Sequence, residues 1–350
     1  MIEGLDRLLA DTRQPGLDEL RAAMGDLLRA DAVCGRVLAE QRLDTSGSVN
    51  RVRFEIDGEE RSVVAKRSRP APAQRNTFVT ERWLPAVGLA DATPRILVTA
   101  AQRAGRAVWH VYEDLGPATL EQDRGADALA AGVRLLAAVH GRFTGHLMLA
   151  EAREWGGDLG CTFFSASARD AIVCLEAMPE SRLDGEGDRI ALRDRLLERM
   201  WELLTEERER TDAVRELGGP ETLLHGDLWL KNMSVVRSGG DVRAKLIDWD
   251  HAGVGPAGYD LSTFLNGFEA DQRDSVLAQY RDAVAAMGLA TPAAGDLNHL
   301  FDTFERARIA NCIVWSAFAV TEGPHVDWAI EELEMAEDWL ARLAPILETR

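Results

Sequence analysis

The chain has 350 residues, 46% of them hydrophobic and 28% charged, with a formal net charge of -18. That length allows one large or two medium domains with a sizeable core, and the acidic balance sets aside nucleic acid and anionic membrane surfaces, since both need a basic footprint. No run approaches about 18 uncharged apolar residues, so no membrane span is expected, and the scattered Cys34, Cys161, Cys174 and Cys312 lack metal spacing, which reads as a reduced, cytoplasmic protein without a zinc site.

The opening MIEGLDRLLADTRQPG is acidic and amphipathic, with no basic segment ahead of an apolar one, so no signal peptide is expected. Residues 1–32 read as a helical cap of two helices broken at Gln14-Pro15-Gly16. Leu5, Leu8 and Leu9 mark the first apolar face, and Leu17, Leu20, Met24, Leu27 and Leu28 the second. Residues 33–115 read as a β-rich lobe. Val33–Glu40 and Val49–Ile56 are predicted strands on either side of the small polar turn Thr45-Ser46-Gly47-Ser48. Asp57-Gly58 is a hairpin signal, and Arg61–Lys66 is a third strand ending on a lysine. A small turn between the first two strands can fold over nucleotide phosphates and offer N–H groups, with Ser46 and Ser48 adding hydroxyl donors. Thr77–Leu84 is expected as a helix capped by Asn76 or Thr77 and stopped at Pro85, with Glu81 in its first turns. Pro94–Ala100 and Ala107–Val111 complete the strands.

Residues 116–350 read as mainly helical. Ala126–Phe143 is strongly periodic and carries His140-Gly141 near its end. Ile190–Leu217 reads as one long helix whose Glu and Arg residues fit a solvated face. Asp271–Met287, Asp296–Thr321 and Val326–Thr349 are the closing helices, the last with Asp327, Trp328, Glu331, Glu332 and Glu334. The most informative stretch is Leu223–Asp250, LLHGDLWLKNMSVVRSGGDVRAKLIDWD. Its apolar runs Met233–Val236 and Ala244–Ile247 read as strands joined through Ser238-Gly239-Gly240-Asp241. Such a hairpin brings Asn232 at its start close to Asp248 at its end, with Asp227 on the loop ahead. A loop aspartate can orient a hydroxyl and accept its proton, while an amide and a second carboxylate are hard oxygen ligands for Mg²⁺ on nucleotide phosphates. This is chemistry suited to phosphoryl transfer.

His225-Gly226-Asp227, then Asn232, then Ile247-Asp248-Trp249-Asp250, resembles the aminoglycoside phosphotransferase/choline kinase superfamily of small-molecule kinases. Protein kinases carry an arginine where Gly226 stands and use it to hold a phosphorylated activation loop; its loss fits an enzyme without that switch. The resemblance covers roughly residues 33–345. It implies a two-lobed, protein-kinase-like α+β fold, with an antiparallel sheet and one helix in the N-terminal lobe and a mainly helical C-terminal lobe. It implies Asp227 as the catalytic carboxylate and Asn232 and Asp248 as Mg²⁺ ligands. Lys66, ending Val-Val-Ala-Lys, becomes the phosphate clamp with Glu81 as its partner, although Arg67 and Arg69 follow it closely. Ser46, Gly47 and Ser48 lie over the phosphates, and the Glu113–Leu115 backbone becomes the hinge that binds the base. His140 and Asp260 are expected to brace the catalytic loop. ATP is the implied nucleotide, with GTP open beside it. The implied acceptor is a hydroxyl of a small molecule, first an aminoglycoside or other antibiotic, since acidic C-terminal helices suit a cationic partner. Sugars, amino alcohols and homoserine-like metabolites are alternatives. A catalytically silent nucleotide-binding regulator is the reading from another class.

Overall fold

The computed structural model describes residues 2–31, 35–184 and 188–348. In chain order the elements begin with β1 (Ile2–Glu3), α1 (Leu17–Asp31), β2 (Gly35–Arg42), β3 (Val49–Ile56), β4 (Glu59–Ser68), α2 (Pro70–Phe78), α3 (Leu84–Ala86), β5 (Ile96–Ala101), β6 (Val108–Glu113) and α4 (Ala126–Phe143). Next come α5 (Met148–Trp155), α6 (Phe163–Glu176), α7 (Glu180–Leu183), α8 (Arg189–Thr205), α9 (Glu207–Leu217), β7 (Glu221–Leu224), β8 (Met233–Ser238), β9 (Asp241–Leu246) and β10 (Gly253–Pro256). The chain closes with α10 (Gly258–Asn266), α11 (Ala270–Ala285), α12 (Ala294–Glu322) and α13 (Val326–Arg342). It divides into two compact units, Met1–Leu135 with Leu230–Ala252, and Leu136–Trp229 with Gly253–Arg350.

The first unit is built on a six-stranded sheet in the order β1-β2-β3-β4-β6-β5, antiparallel except for the β1–β2 pair. The period-2 alternation of β3 puts Val52, Phe54 and Ile56 on the buried face, with Leu20 and Met24 of α1 and Trp109 and Val111 of β6 in the same core. Val33 and Cys34, where the first strand was expected to start, lie outside the described residues. The first of the two expected N-terminal helices does not form. Ile2–Glu3 pairs with β2 instead, and Leu5–Arg7 and Ala10–Thr12 are single 3₁₀ turns. So short a helix is marginal alone, and the adjacent Leu8 and Leu9 are both buried in the sheet's core. α2 also begins earlier than expected. Pro70 stands in its first turn after an extended Arg69, an arrangement proline favours. The helix continues through a π turn at Val79–Trp83 into α3.

β8 and β9 form the expected hairpin. Ser238 pairs with Asp241, leaving Gly239 and Gly240 as a two-residue turn with φ of 58° and 87°. The Leu120 N–H donates to Met233 O at 2.8 Å, and Lys245 pairs with Glu113 at 2.6 Å, so the hairpin is tied to its own unit.

The second unit is helical around one small antiparallel pair, β7 with β10. Leu175 of α6, Leu196 and Met200 of α8, Ile309 and Ile313 of α12 and Leu333 of α13 share one core of this unit. The single long helix expected over Ile190–Leu217 is two, α8 and α9, parted at Glu206. Just past the break, buried Arg210 ties α9 to α12: it pairs with Glu206 at 2.6 Å and Asp302 at 2.8 Å and donates to Thr303 at 3.0 Å.

Candidate active site

In the first unit β4 carries Lys66 opposite His110 of β6. Lys66 Nζ lies 2.6 Å from Asp248 Oδ1 and 2.7 Å from Asp250 Oδ1. Burial opposes the ammonium charge, but the two carboxylates outweigh it and hold the Lys66 pKa above its ordinary value. The Ile247 N–H donates to Asn232 O at 2.9 Å, which fixes Asn232 beside the end of β9. Asp248 then adopts left-handed backbone, φ 67° and ψ 58°. That conformation costs a non-glycine residue about 1–2 kcal/mol, a strain often found at functional positions. Asp250 Oδ1 also accepts from Asn76 Nδ2 at 2.5 Å, and the Arg75 guanidinium donates to the Asp250 carbonyl. Behind Lys66, the His110 ring meets the Thr77 hydroxyl at 3.3 Å and the Tyr112 hydroxyl at 3.1 Å. Burial first, and then the Lys66 charge, push the His110 pKa down to about 4, so the ring is neutral at pH 7.

The other residues expected around the nucleotide fall as follows. Glu81 does not hold Lys66: it is exposed, and no ion pair joins the two. Ala73, Asn76, Val79 and Trp83 take the inner face of that helix, which turns Glu81 outward. Glu113 uses its carboxylate on Lys245 and Arg95, and its N–H donates to Arg95 O at 3.1 Å; Leu115 follows, half-buried. In the turn, Gly47 has φ of 70°, and the Ser46 and Ser48 hydroxyls both donate to the Asp44 carboxylate. The N–H groups of Ser48 and Val49 reach the same carboxylate at 3.2 and 3.0 Å. Burial works to raise the Asp44 pKa, but these donors lower it overall.

In the second unit, Asp260 of α10 organises the loop that bears Asp227. Its two oxygens accept the N–H groups of His225 at 2.7 Å and Gly226 at 3.0 Å. His140 contacts Asp260 at 3.3 Å and the Tyr280 hydroxyl at 2.9 Å, so both residues brace the loop as expected. Burial acts to raise the Asp260 pKa, but the His140 contact, followed by the neighbouring imidazole charges and the His225 N–H, lowers it. Gly226 has φ of 82°, which explains a glycine at this place. Arg308 of α12 donates to the carbonyls of Gly226 and Tyr259, each at 2.9 Å, and lies 4.1 Å over the Tyr259 ring. Its guanidinium is within electrostatic reach of half-buried Asp227.

Two residues past Asp227, Trp229 opens onto a cleft of about 320 Å³ lined also by Trp339, Asp302, Glu305, Asn266 and Asn298. The Trp229 and Trp339 rings are 6.0 Å apart. Glu305 is only 1% exposed. Its Oε1 accepts from Ser262 at 2.7 Å and pairs with Arg308 at 3.5 Å, while Oε2 has no hydrogen-bond partner. Sequence reading missed Glu305, Asn76 and Asp44. None carries a motif, and Asn76 resembles a helix cap in sequence but lies inside α2.

Among the described residues, no group of three or more His, Cys, Asp or Glu side chains is arranged to hold a metal ion. Asp248, Asp250 and Asn232 nevertheless offer hard oxygens, and the first two already converge on a cation, the Lys66 ammonium. That chemistry fits Mg²⁺, which takes few protein ligands and completes its shell with water and phosphate.

The sequence matches the phosphotransferase enzyme family over residues 40–297, well over half of the chain. The chain belongs to this family. A search of curated proteins finds no significant match. Among solved structures, a Plasmodium vivax ethanolamine kinase superposes with a TM-score of 0.55 at 11% identity, covering 85% of this chain and 82% of that one. A spectinomycin phosphotransferase in complex with ADP and spectinomycin gives 0.55 at 12% identity, covering 91% and 98%. An aminoglycoside phosphotransferase in complex with GDP and kanamycin gives 0.54 at 15% identity, covering 88% and 95%. These likenesses show the fold, the two-lobed protein-kinase-like α+β class. The phosphotransferase is a small-molecule kinase with hydroxyl acceptors. Among its described residues, no helix is long and apolar enough to cross a membrane.

Proposed function

We propose that this phosphotransferase transfers the γ-phosphoryl group of ATP to a hydroxyl of an amine-bearing small molecule in the cytoplasm, with an aminoglycoside or other antibiotic as first choice. The observation that carries this reading is Lys66 Nζ held at 2.6 and 2.7 Å by the carboxylates of Asp248 and Asp250, at the end of a hairpin that starts beside Asn232. Lys66 is the phosphate clamp. Asp248 and Asn232 are the side chains that would hold Mg²⁺, which when bound neutralises charge on the phosphate oxygens. Asp227 orients the acceptor hydroxyl and takes its proton, a contribution of roughly 10²–10⁴-fold in rate. The Glu113–Leu115 backbone receives the base, and the relatives with ADP and GDP support a purine nucleotide there without selecting between ATP and GTP. With Ser46 and Ser48 engaged by Asp44, only the main chain about Gly47 is proposed to cover the phosphates.

The cleft beside Trp229 is the proposed acceptor site. A buried carboxylate oxygen without a donor costs about 1–3 kcal/mol, and a ligand ammonium would satisfy Glu305 Oε2 while packing on the indoles of Trp229 and Trp339. The same observation favours an amino alcohol as the second reading over a sugar without an amine. Turnover of Mg-ATP is to be measured against aminoglycosides, amino alcohols and neutral sugars, reading product mass. A gain of one phosphoryl group on amine-bearing acceptors, with KM raised at least about tenfold in Glu305→Gln, is expected. Preferred phosphorylation of a neutral sugar would contradict the acceptor assignment, and binding of nucleotide without any product would favour a silent regulator.

A further inference from the structure

We propose that Asp250 and Asn76, in place of a helix glutamate, are the positioning residues that keep Lys66 on the nucleotide phosphates; this rests on Lys66 being the phosphate clamp. Asp250 Oδ1 gathers Lys66 Nζ at 2.7 Å and Asn76 Nδ2 at 2.5 Å, and the Arg75 guanidinium secures the Asp250 carbonyl. Asn76 is 4% exposed, and its Nδ2 also donates to Pro72 O at 3.0 Å, one turn back in α2. Both hydrogens of the amide are thereby engaged, and its orientation is fixed. A carboxylate at this position would face Asp250 with like charge, so the site calls for a neutral donor. The helix therefore supplies a hydrogen bond, and the residue two past Asp248 supplies the charge.

The two carboxylates on Lys66 differ in setting. Asp250 is 24% exposed and pinned to α2, whereas Asp248 is 43% exposed and sits in left-handed backbone. Asp250 can thus retain Lys66 while Asp248 serves a second cation. Glu81, exposed on the opposite face, has no part in this.

The test is a double-mutant cycle read as ADP affinity by titration calorimetry, using the full chain with Mg²⁺. Asp250→Asn should weaken ADP binding by about tenfold or more in the natural chain, as expected for loss of a charged hydrogen bond. In a Lys66→Met background it should add less than about twofold, and Glu81→Ala alone should change affinity by less than about twofold. A purely structural role would give the same loss in both backgrounds; that result, or a Glu81→Ala effect as large as that of Asp250→Asn, overturns the proposal. If Asp250→Asn lacks a cooperative melting transition, Asn76→Ala takes its place in the cycle under the same criteria. Binding unaffected by Lys66→Met removes the clamp itself and the proposal with it. Binding that falls in Lys66→Met but not in Asp250→Asn or Asn76→Ala defeats the proposal alone.

Discussion

At the scale of single residues, the Lys66 surroundings show how one charge sets its neighbours. His110 is buried behind the ammonium, and its pKa of about 4 lies below the ordinary value of about 6.5. Between those values the unfolded chain binds a proton that the folded chain does not. Stability should therefore be full above about pH 6.5 and be lost as pH falls toward 4, by an amount on the order of 3 kcal/mol from this ring. Urea midpoints at pH 7 and pH 4.5 test this: His110→Gln should lose less over the interval than the natural chain, and an equal loss would show that the ring does not cause the slope. Asp260 acts in a lower window. Its depressed pKa contributes stability above the ordinary aspartate range, lost as the pH falls through the folded value. The His140–Asp260 brace was legible through the family resemblance, whereas the His110 setting was not: Tyr112 meets it from two residues along the same strand, but Thr77 reaches it only from the helix that packs there.

At the scale of elements, the clearest sequence signal was also the most faithful. The β8–β9 hairpin follows from two apolar runs around a Gly-Gly turn, all information local to the pairing. α2 was less legible. Pro70 is itself a start signal, but Asn76 and Thr77 imitate an N-cap one and a half turns later, and a start there hides that Asn76, inside the helix, lies on its buried face. The N-terminal helix failed for another reason, since burial of Leu8 and Leu9 against the sheet outweighed a weak local preference. The loop that bears Asp227 depends on its glycine in a way the motif alone did not explain. At φ 82°, Gly226→Ala should cost about 1–2 kcal/mol and disturb the loop braced by Asp260. Equilibrium unfolding measures that cost, and an unchanged midpoint would mean the loop relaxes without strain.

At the scale of the whole molecule, sequence pattern went furthest for the reaction class and least far for the acceptor. Asp227, Asn232 and Asp248 lie within one short stretch, and the family match spans all three. The cleft beside Trp229 instead draws on Asp302 and Glu305 of α12 and Trp339 of α13, long helices with ordinary core periodicity far along the chain from Asp227. Nothing local marks them, and the conspicuous acidic run lies on α13, not on α12. The acidic balance likewise set aside nucleic-acid and membrane partners but left the acceptor unnamed. The most direct measurement is the mass of the product formed from Mg-ATP and an amine-bearing acceptor, with ADP affinity measured in parallel for the natural chain and Asp227→Asn. Transfer of one phosphoryl group by the natural chain, reduced roughly 10²–10⁴-fold in Asp227→Asn with ADP affinity preserved, is the expected result. Full transfer by Asp227→Asn would contradict the assignment of Asp227 as the catalytic carboxylate.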